Sequence, residues 1–262
     1  MINLGIILPP FADTFKKASD YGLKYVEFTM NDGADITDYE NRLAQMKEES
    51  DKYGVKVASI GRWGALKNDD DGNVFEEELN SDYRLIESCK TLNCPVYVTG
   101  FNFANNLSNY ENYTNAIKYF EKLIAKGKEC GVKIATYNCE WNSFVVRDEQ
   151  WKIIHNHLKD LGIKFDSANC VYNGCDYLAQ TRDWGDRFYH VHIKGHLLID
   201  GVRFDDPPAG LDQTDWKSFF AMLYAKKYDG VVSIEPHSEN WNGELGEKGI
   251  KYTIEYIKQF LL

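Results

Sequence analysis

Histidine and lysine side chains alternate with apolar ones in the stretch FYHVHIKGH, residues 188–196, which holds three of the chain's six histidines. This alternation predicts a β-strand that carries His190, His192 and Lys194 on one face and the intervening valine and isoleucine on the other. Burying imidazoles and an ammonium group costs free energy unless partners satisfy them. The residues at the ends of the neighbouring strands therefore decide what chemistry this strand can do.

Potential metal ligands follow four apolar segments, each of which is a predicted strand. They are Glu140 in NCEW, Asp166 in KFDSAN, His192 in HVHIKG and Glu235 in SIEP. Three carboxylates that lie close together repel one another and resist ionisation, and a divalent cation removes that conflict. Three oxygen donors and one nitrogen, without a thiolate, favour Mn²⁺, Mg²⁺ or Co²⁺ and leave Zn²⁺ open. We therefore expect these four residues to bind one divalent metal ion.

A weak internal repeat indicates the elements that position these ligands. A helix-like segment, a glycine and an apolar strand recur at Gly22, Gly54, Gly131, Gly162 and Gly230, with spacings of 32, 77, 31 and 68 residues. Two of the spacings correspond to one βα unit, and the other two are about twice as long. Each of these glycines is expected to end a helix in the left-handed conformation.

The doubled spacings each contain one further predicted strand, CPVYVTGFN or FYHVHIKGH, and NLGIILPP supplies the first strand. Eight strands separated by helical segments in 262 residues predict a single (β/α)8 TIM barrel, one domain over residues 1–262. The alternative is an open doubly wound sheet, but no GxGxxG or P-loop motif follows a strand. Barrel active sites lie at the carboxyl ends of the strands, which is where the four ligands fall.

Other residues at the same strand ends are candidates for substrate binding. The set comprises Arg62, Trp63, Asn169, Lys194 and His196. The aromatic content of 14% suits a sugar, whose C–H faces can lie on aromatic rings. A small-molecule carbohydrate is therefore the expected partner.

The other four histidines have a different expected role. His190 lies deeper in its strand than His192 and is expected to support it. His155 and His157, in the helical segment IIHNHLKD, are expected to be solvent-exposed, and His237 is expected to be structural.

The net charge of −10 disfavours nucleic-acid binding, which normally uses a basic surface. No apolar run is long enough to span a membrane, and the N-terminal residues do not form a signal peptide, so a cytoplasmic protein without a membrane partner is expected. The six cysteines contain no CxxC pair and are expected to be reduced thiols. Whether the protein forms a homo-oligomer is left open by the sequence.

The motifs VEFTM, NCEW, KFDSAN, HVHIKG and PPAGLDQTDWKSFF…YDGVVSIEPH span essentially the whole chain. Together they resemble the xylose isomerase-like TIM barrel superfamily of sugar phosphate isomerases and epimerases, which also contains endonuclease IV. In members of the ketose 3-epimerase type, a Glu-Asp-His-Glu quartet binds one divalent metal, usually manganese. The resemblance implies that Glu140, Asp166, His192 and Glu235 bind Mn²⁺, and that the two glutamates are catalytic on opposite faces of the sugar.

Three features depart from that epimerase pattern. Asn169 replaces a frequent substrate-binding histidine, Leu198 replaces an arginine, and WNSFVV follows Glu140 where the epimerases have a further glutamate. The resemblance implies a metal-dependent isomerase or epimerase that abstracts a proton next to a carbonyl and works through an enediolate. The alternative is a lyase or dehydratase acting on a keto-sugar, a keto-inositol or a 3-keto-glycoside. An endonuclease IV-like nuclease is disfavoured because it needs several metals and a basic rim. A non-catalytic sugar-binding barrel would differ by showing no substrate-dependent proton exchange.

Overall fold

Eight parallel strands close into a barrel in the computed structural model, which describes residues 1–236 and 238–262. The expectation for His237 lies outside the described residues. The eight barrel strands are β1 (Asn3–Ile7), β2 (Tyr25–Thr29), β3 (Lys56–Arg62), β4 (Val96–Thr99), β5 (Lys133–Tyr137), β6 (Leu161–Asp166), β7 (Phe188–Ile193) and β10 (Val231–Ile234). Two further strands, β8 (Leu197–Ile199) and β9 (Val202–Asp205), lie between β7 and β10 in the sequence. Strands β8 and β9 form a separate antiparallel pair, and the barrel order is β1-β10-β7-β6-β5-β4-β3-β2. The predicted (β/α)8 barrel is confirmed.

Helices connect successive barrel strands. They are α1 (Asp13–Asp20), α2 (Ile36–Asn41), α3 (Leu43–Tyr53), α4 (Glu76–Thr91), α5 (Asn109–Cys130), α6 (Asp148–His157), α7 (Ser167–Tyr172), α8 (Tyr177–Trp184), α9 (Trp216–Ala225) and α10 (Gly243–Lys258). The longest helix, α5, begins with a capping box in which Ser108 and Glu111 satisfy each other's backbone N–H groups. Among the described residues, no helix is both long enough and apolar enough to cross a membrane.

The predicted helix-ending glycines divide into two groups. Gly54 and Gly131 end α3 and α5 in the left-handed conformation, with φ of 63° and 73°, as predicted. Gly22, with a φ of 71°, is also left-handed and directly follows Tyr21, the C-cap of α1. Gly162 and Gly230 do not end helices in this way. Gly162 lies within β6, where a Cβ atom would stand 2.0 Å from a ring carbon of Tyr189. The absence of a side chain at this position therefore serves close packing and not a left-handed turn.

Polar side chains fill much of the barrel interior. Glu27, Ser59, Lys164, His190 and His192 are all at most 2% exposed. Interiors of such barrels are usually filled by branched apolar residues. The outer faces of the same strands, in contrast, belong to the main apolar core that packs against the helices. The side chains that can bind a ligand or transfer protons therefore lie inside the barrel.

His155 on α6 is buried, and the expectation that it would be solvent-exposed is wrong. Its Nε2 lies 3.1 Å from the carbonyl oxygen of Gly162 and 3.1 Å from Oγ1 of Thr136. The rings of Trp151 and Trp184 pack beside it. Burial lowers the pKa of His155 to about 3, so it is a neutral residue that joins α6 to the sheet.

Candidate active site

His192 is the centre of a hydrogen-bonded cluster at the carboxyl ends of the strands. Its Nε2 lies 2.9 Å from Oε1 of Glu27, and its Nδ1 lies 2.8 Å from Oε2 of Glu235 and 3.7 Å from Oδ2 of Asp166. The other carboxylate oxygen of Glu27 lies 2.6 Å from Nε2 of His190. Because Glu27 engages Nε2, the ring is oriented with Nδ1 toward the two carboxylates.

The atoms of this cluster can hold a cation. One ligand atom from each of Asp166, His192 and Glu235 lies within 4.8 Å of the other two. Two carboxylate oxygens and one imidazole nitrogen form a donor set that suits Mn²⁺ or Mg²⁺ and leaves coordination positions for water or substrate. Glu27, His190 and His192 form a second close group, but their nearest atoms already pair with one another.

Burial and neighbouring charges set the protonation of these groups. Burial alone would raise the pKa of Glu27 and of Glu235. The two histidines beside Glu27 nevertheless hold its pKa well below the usual range, and Lys194 together with His192 does the same for Glu235. Burial acts to lower the pKa of His192, but the charge of Glu27 outweighs burial and raises it to about 9. The cluster therefore contains ionised carboxylates around an imidazolium, whose proton a cation would replace.

Glu140 is not part of this cluster, in contrast to the prediction. Ala135 and Tyr137 on β5 belong to the apolar group inside the barrel, and Cys139 continues that face into the mouth. Glu140 is one residue out of phase, and its side chain is 58% exposed and forms an ion pair with Arg147. No described group of potential metal ligands includes it. The fifth strand thus brings a thiol to the mouth, because side chains alternate along an extended chain.

The mouth of the barrel contains a cavity of about 300 Å³. Three of the residues predicted to bind substrate line it, namely Trp63, Asn169 and Lys194. Nδ2 of Asn169 donates to Asp166 over 2.9 Å, and Nζ of Lys194 lies 2.6 Å from Oε1 of Glu235. The cavity therefore joins an aromatic surface to the group of potential metal ligands.

Neither Arg62 nor His196 is among the described residues that line this cavity. Arg62 donates two hydrogen bonds to Glu78, of 3.0 Å and 2.7 Å, and thereby joins β3 to α4. Nδ1 of His196 lies 2.9 Å from Oγ1 of Thr214, in the segment before α9. Both predicted substrate-binding side chains are engaged in structural contacts with residues distant in the sequence.

Lys164 and Asn138 are among the residues of the site that were not predicted from the sequence. Lys164 places Nζ 3.5 Å from Oδ2 of Asp166 and 5.8 Å from the ring centre of Trp63. Asn138 accepts a hydrogen bond from the backbone N–H of Asp166 and donates one to its carbonyl oxygen, over 3.0 Å and 2.8 Å. Lys164 could have been found, because it stands two residues before Asp166 in the same strand and so shares its face.

The match to known families agrees with this architecture. Residues 15–260 match the family described as xylose isomerase-like TIM barrel. The chain therefore belongs to the xylose isomerase-like TIM barrel family.

Sequence identity to individual known proteins is low. The uncharacterized protein YfiH of Bacillus subtilis (strain 168) is 28% identical over 176 residues, which are 59% of this chain and 55% of that protein. The chain thus spans about half the length of the curated relative that it matches. The D-psicose 3-epimerase of Clostridium cellulolyticum H10, solved with D-tagatose, superposes with a TM-score of 0.80 at 10% identity over 99% of both chains. The 3-keto-D-glucoside 4-epimerase YcjR of E. coli superposes with a TM-score of 0.75 at 17% identity over 99% of this chain and 100% of that one. At these identities, the superpositions show the shared fold.

Proposed function

We propose that this protein is a metal-dependent sugar isomerase or epimerase that removes a proton next to a carbonyl group. The observation that carries the proposal is the close grouping of Asp166, Nδ1 of His192 and Glu235 beside a cavity that Trp63 lines. The activities of the two epimerases with the same fold, on a ketose and on a keto-glucoside, support a sugar as the substrate.

Asp166, His192 and Glu235 are the proposed ligands of one divalent cation, Mn²⁺ in the first place. Such an ion, when bound, polarises a carbonyl and stabilises the negative charge that develops on its oxygen. Glu27 holds the His192 ring through Nε2, at 2.9 Å, so that Nδ1 stays directed at the mouth. Asn138 fixes the backbone of Asp166 from the neighbouring strand.

Glu235 is the proposed base that accepts the proton from the substrate. Lys194, with Nζ 2.6 Å from Oε1, keeps Glu235 ionised and therefore able to accept. A carboxylate whose pKa is held low is a weak base, so the substrate C–H must be acidified for the transfer to be fast. Lys164 is the proposed second proton carrier. It reaches the mouth from β6, whereas the predicted second carboxylate, Glu140, does not line the mouth among the described residues.

A lyase acting on the same class of keto-sugar is the second candidate. Among the described residues that line the mouth, Glu235 is the only carboxylate. A two-base epimerase needs proton carriers on both faces of the sugar, whereas a lyase needs one base and a leaving group. The mouth therefore offers one carboxylate base, which is sufficient for a lyase. An epimerase additionally requires Lys164 to transfer the second proton.

Solvent-deuterium exchange tests the proposed function. The protein is incubated with Mn²⁺ in D₂O with ketoses, ketose phosphates and keto-glycosides, and incorporation next to the carbonyl is followed by NMR. We expect exchange into at least one of these substrates and its loss in Glu235→Gln. The absence of exchange across the whole panel would reject the proposal. Inverted stereochemistry in the product identifies an epimerase, and an eliminated fragment identifies a lyase.

A further inference from the structure

A second cavity of about 480 Å³ lies next to the mouth. The two cavities share one wall, made by residues 139–142 after β5. Cys139 and Trp141 line the mouth, whereas Glu140 and Asn142 line the second cavity, which we call the cleft. The segment follows β5 and turns at Trp141 and Asn142, where Asn142 has a φ of 47°. Its side chains therefore face both cavities, and the two cavities are separated by this one segment of chain.

Hydrogen bonds and close packing fix the wall in place. The hydroxyl of Tyr137 donates to the carbonyl oxygen of Trp141 over 2.8 Å, and Nδ2 of Asn142 donates to the carbonyl oxygen of Gly64 over 2.6 Å. Gly64 has a φ of 78°, and a Cβ atom there would stand 2.3 Å from the Trp141 indole. Trp141 is nonetheless 48% exposed, so the indole remains accessible at the border between the mouth and the cleft.

The chemistry of the cleft suits a sugar ring. Amide and aromatic side chains form much of its lining, namely Asn68, Asn102, Asn105, Asn142, Phe103 and Phe144. Three carboxylates, Asp69, Asp70 and Glu140, line it as well and can accept hydrogen bonds from sugar hydroxyls. Amides donate to and accept from sugar hydroxyls, and aromatic faces pack against sugar C–H groups. The ring of Phe103 is held edge-on against Phe144 at 5.5 Å while 37% of the residue stays exposed. Its orientation is thus fixed before a ligand arrives.

Two polar atoms of the cleft lack a partner. Oδ1 of Asn68 and Oγ of Ser143 are buried and have no hydrogen-bond partner among the described residues. Both residues line the cleft. A buried polar atom without a partner costs free energy. A side-chain rotation that turns either atom toward the cleft would let a ligand hydroxyl supply the missing hydrogen bond.

We propose that the cleft is a second sugar subsite and that the substrate is a disaccharide or glycoside. The ketone-bearing ring lies in the mouth beside Glu235, and the second ring crosses the wall at Trp141 into the cleft. This inference rests on the proposed function, because that function places the reacting ring in the mouth.

Calorimetric titration of the Mn²⁺-loaded protein tests the subsite directly. The probes are the ketose disaccharides lactulose and isomaltulose, compared with D-fructose. We expect the preferred disaccharide to bind at least about tenfold more tightly than D-fructose, which corresponds to one or two added hydrogen bonds. Equal affinities, or no binding of either disaccharide, would overturn the proposal.

A pair of variants makes the test specific. Ser143→Ala deletes the unpartnered hydroxyl in the cleft, and Thr253→Val deletes another buried, unpartnered hydroxyl in α10. We expect Ser143→Ala to lower the ratio of disaccharide to fructose affinity roughly threefold or more, without lowering the melting temperature. Thr253→Val should leave the ratio unchanged. A ratio that stays constant in Ser143→Ala and also in Phe103→Ala contradicts the subsite.

The failures of the two proposals are distinguishable. If deuterium exchanges into D-fructose but disaccharide affinity is the same in the cleft variants as in wild type, the proposed function is retained and the subsite is rejected. Disaccharide binding that depends on Ser143, in a protein that exchanges no substrate proton, would retain the subsite and reject the function.

Discussion

Oε1 of Glu27 lies 2.9 Å from Nε2 of His192, so the imidazole presents Nδ1 to Asp166 and Glu235. Glu27 comes from β2 and His192 from β7, and neither their spacing nor their local patterns in the sequence link the two. Carboxylates that hold a metal-binding histidine in this way fix its tautomer and orientation. Glu27 is therefore a positioning residue for the proposed cation site.

Glu27→Gln tests this role. Glutamine has nearly the same size, but its neutral amide no longer fixes the ring through a charged acceptor. We expect Mn²⁺ affinity, measured by calorimetry, to fall roughly 10- to 100-fold, the usual range for loss of such a partner. Glu140→Gln is the control, because that side chain is exposed and away from the cluster. Equal affinities of the two variants would show that Glu27 does not position the ligand.

The two glutamates that the sequence treats alike should behave differently. Glu235→Gln removes the proposed base and should slow deuterium exchange by at least about 100-fold. With a monosaccharide substrate, which does not reach the cleft, Glu140→Gln should keep most of the exchange activity, because Glu140 pairs with Arg147 outside the mouth. Comparable losses in both variants would mean that the loop after β5 rearranges to bring Glu140 to the substrate.

The burial of His155 should make the free energy of unfolding fall as the pH is lowered. Its pKa is lowered from 6.5 to about 3 in the folded protein, so the unfolded chain binds the extra proton first as the pH falls. This contribution to stability is complete above about pH 6.5 and declines from there toward pH 3. Between neutral pH and about pH 5, the loss should be about 2 kcal/mol.

His155→Gln isolates that contribution, because an amide can still donate to the carbonyl oxygen of Gly162 without titrating. Urea unfolding at a series of pH values measures the free energy of unfolding. The wild-type value should fall more steeply than that of the variant between neutral pH and about pH 5. Parallel curves for the two proteins would contradict a buried neutral imidazole.

Nucleic acid should not be a substrate. The chain carries a net charge of −10, and binding to a phosphate backbone needs a basic surface. A gel-shift assay with duplex DNA that contains an abasic site should show neither retardation nor cleavage at moderate salt. Cleavage that disappears in Glu235→Gln would place the protein among nucleases instead.

The barrel could be predicted from the sequence because the pattern of a βα unit recurs along the chain. Five of the units show the same order of helix, glycine and apolar strand, so errors about individual glycines, as at Gly162 and Gly230, do not change the architecture. The shared face of His190, His192 and Lys194 follows from strand alternation alone, and the structure places the last two beside Glu235.

The errors in the site have two physical causes. Cys139 and Glu140 are adjacent, and which of them faces the mouth depends on the phase of a strand whose end the sequence does not mark. Arg62 and His196 have the right chemical groups for substrate binding, but Glu78 and Thr214 occupy them. Such pairings join separate elements and appear only when the chain is folded.

Titration of the metal-free protein with Mn²⁺ is the measurement that tests the central claim most directly. Calorimetry would compare wild type with His192→Ala, Asp166→Ala and Glu140→Gln. We predict one ion per chain in wild type, loss of binding in the first two variants, and nearly unchanged affinity in Glu140→Gln. Wild-type protein that binds no cation, or binding that survives His192→Ala and Asp166→Ala, would contradict the account.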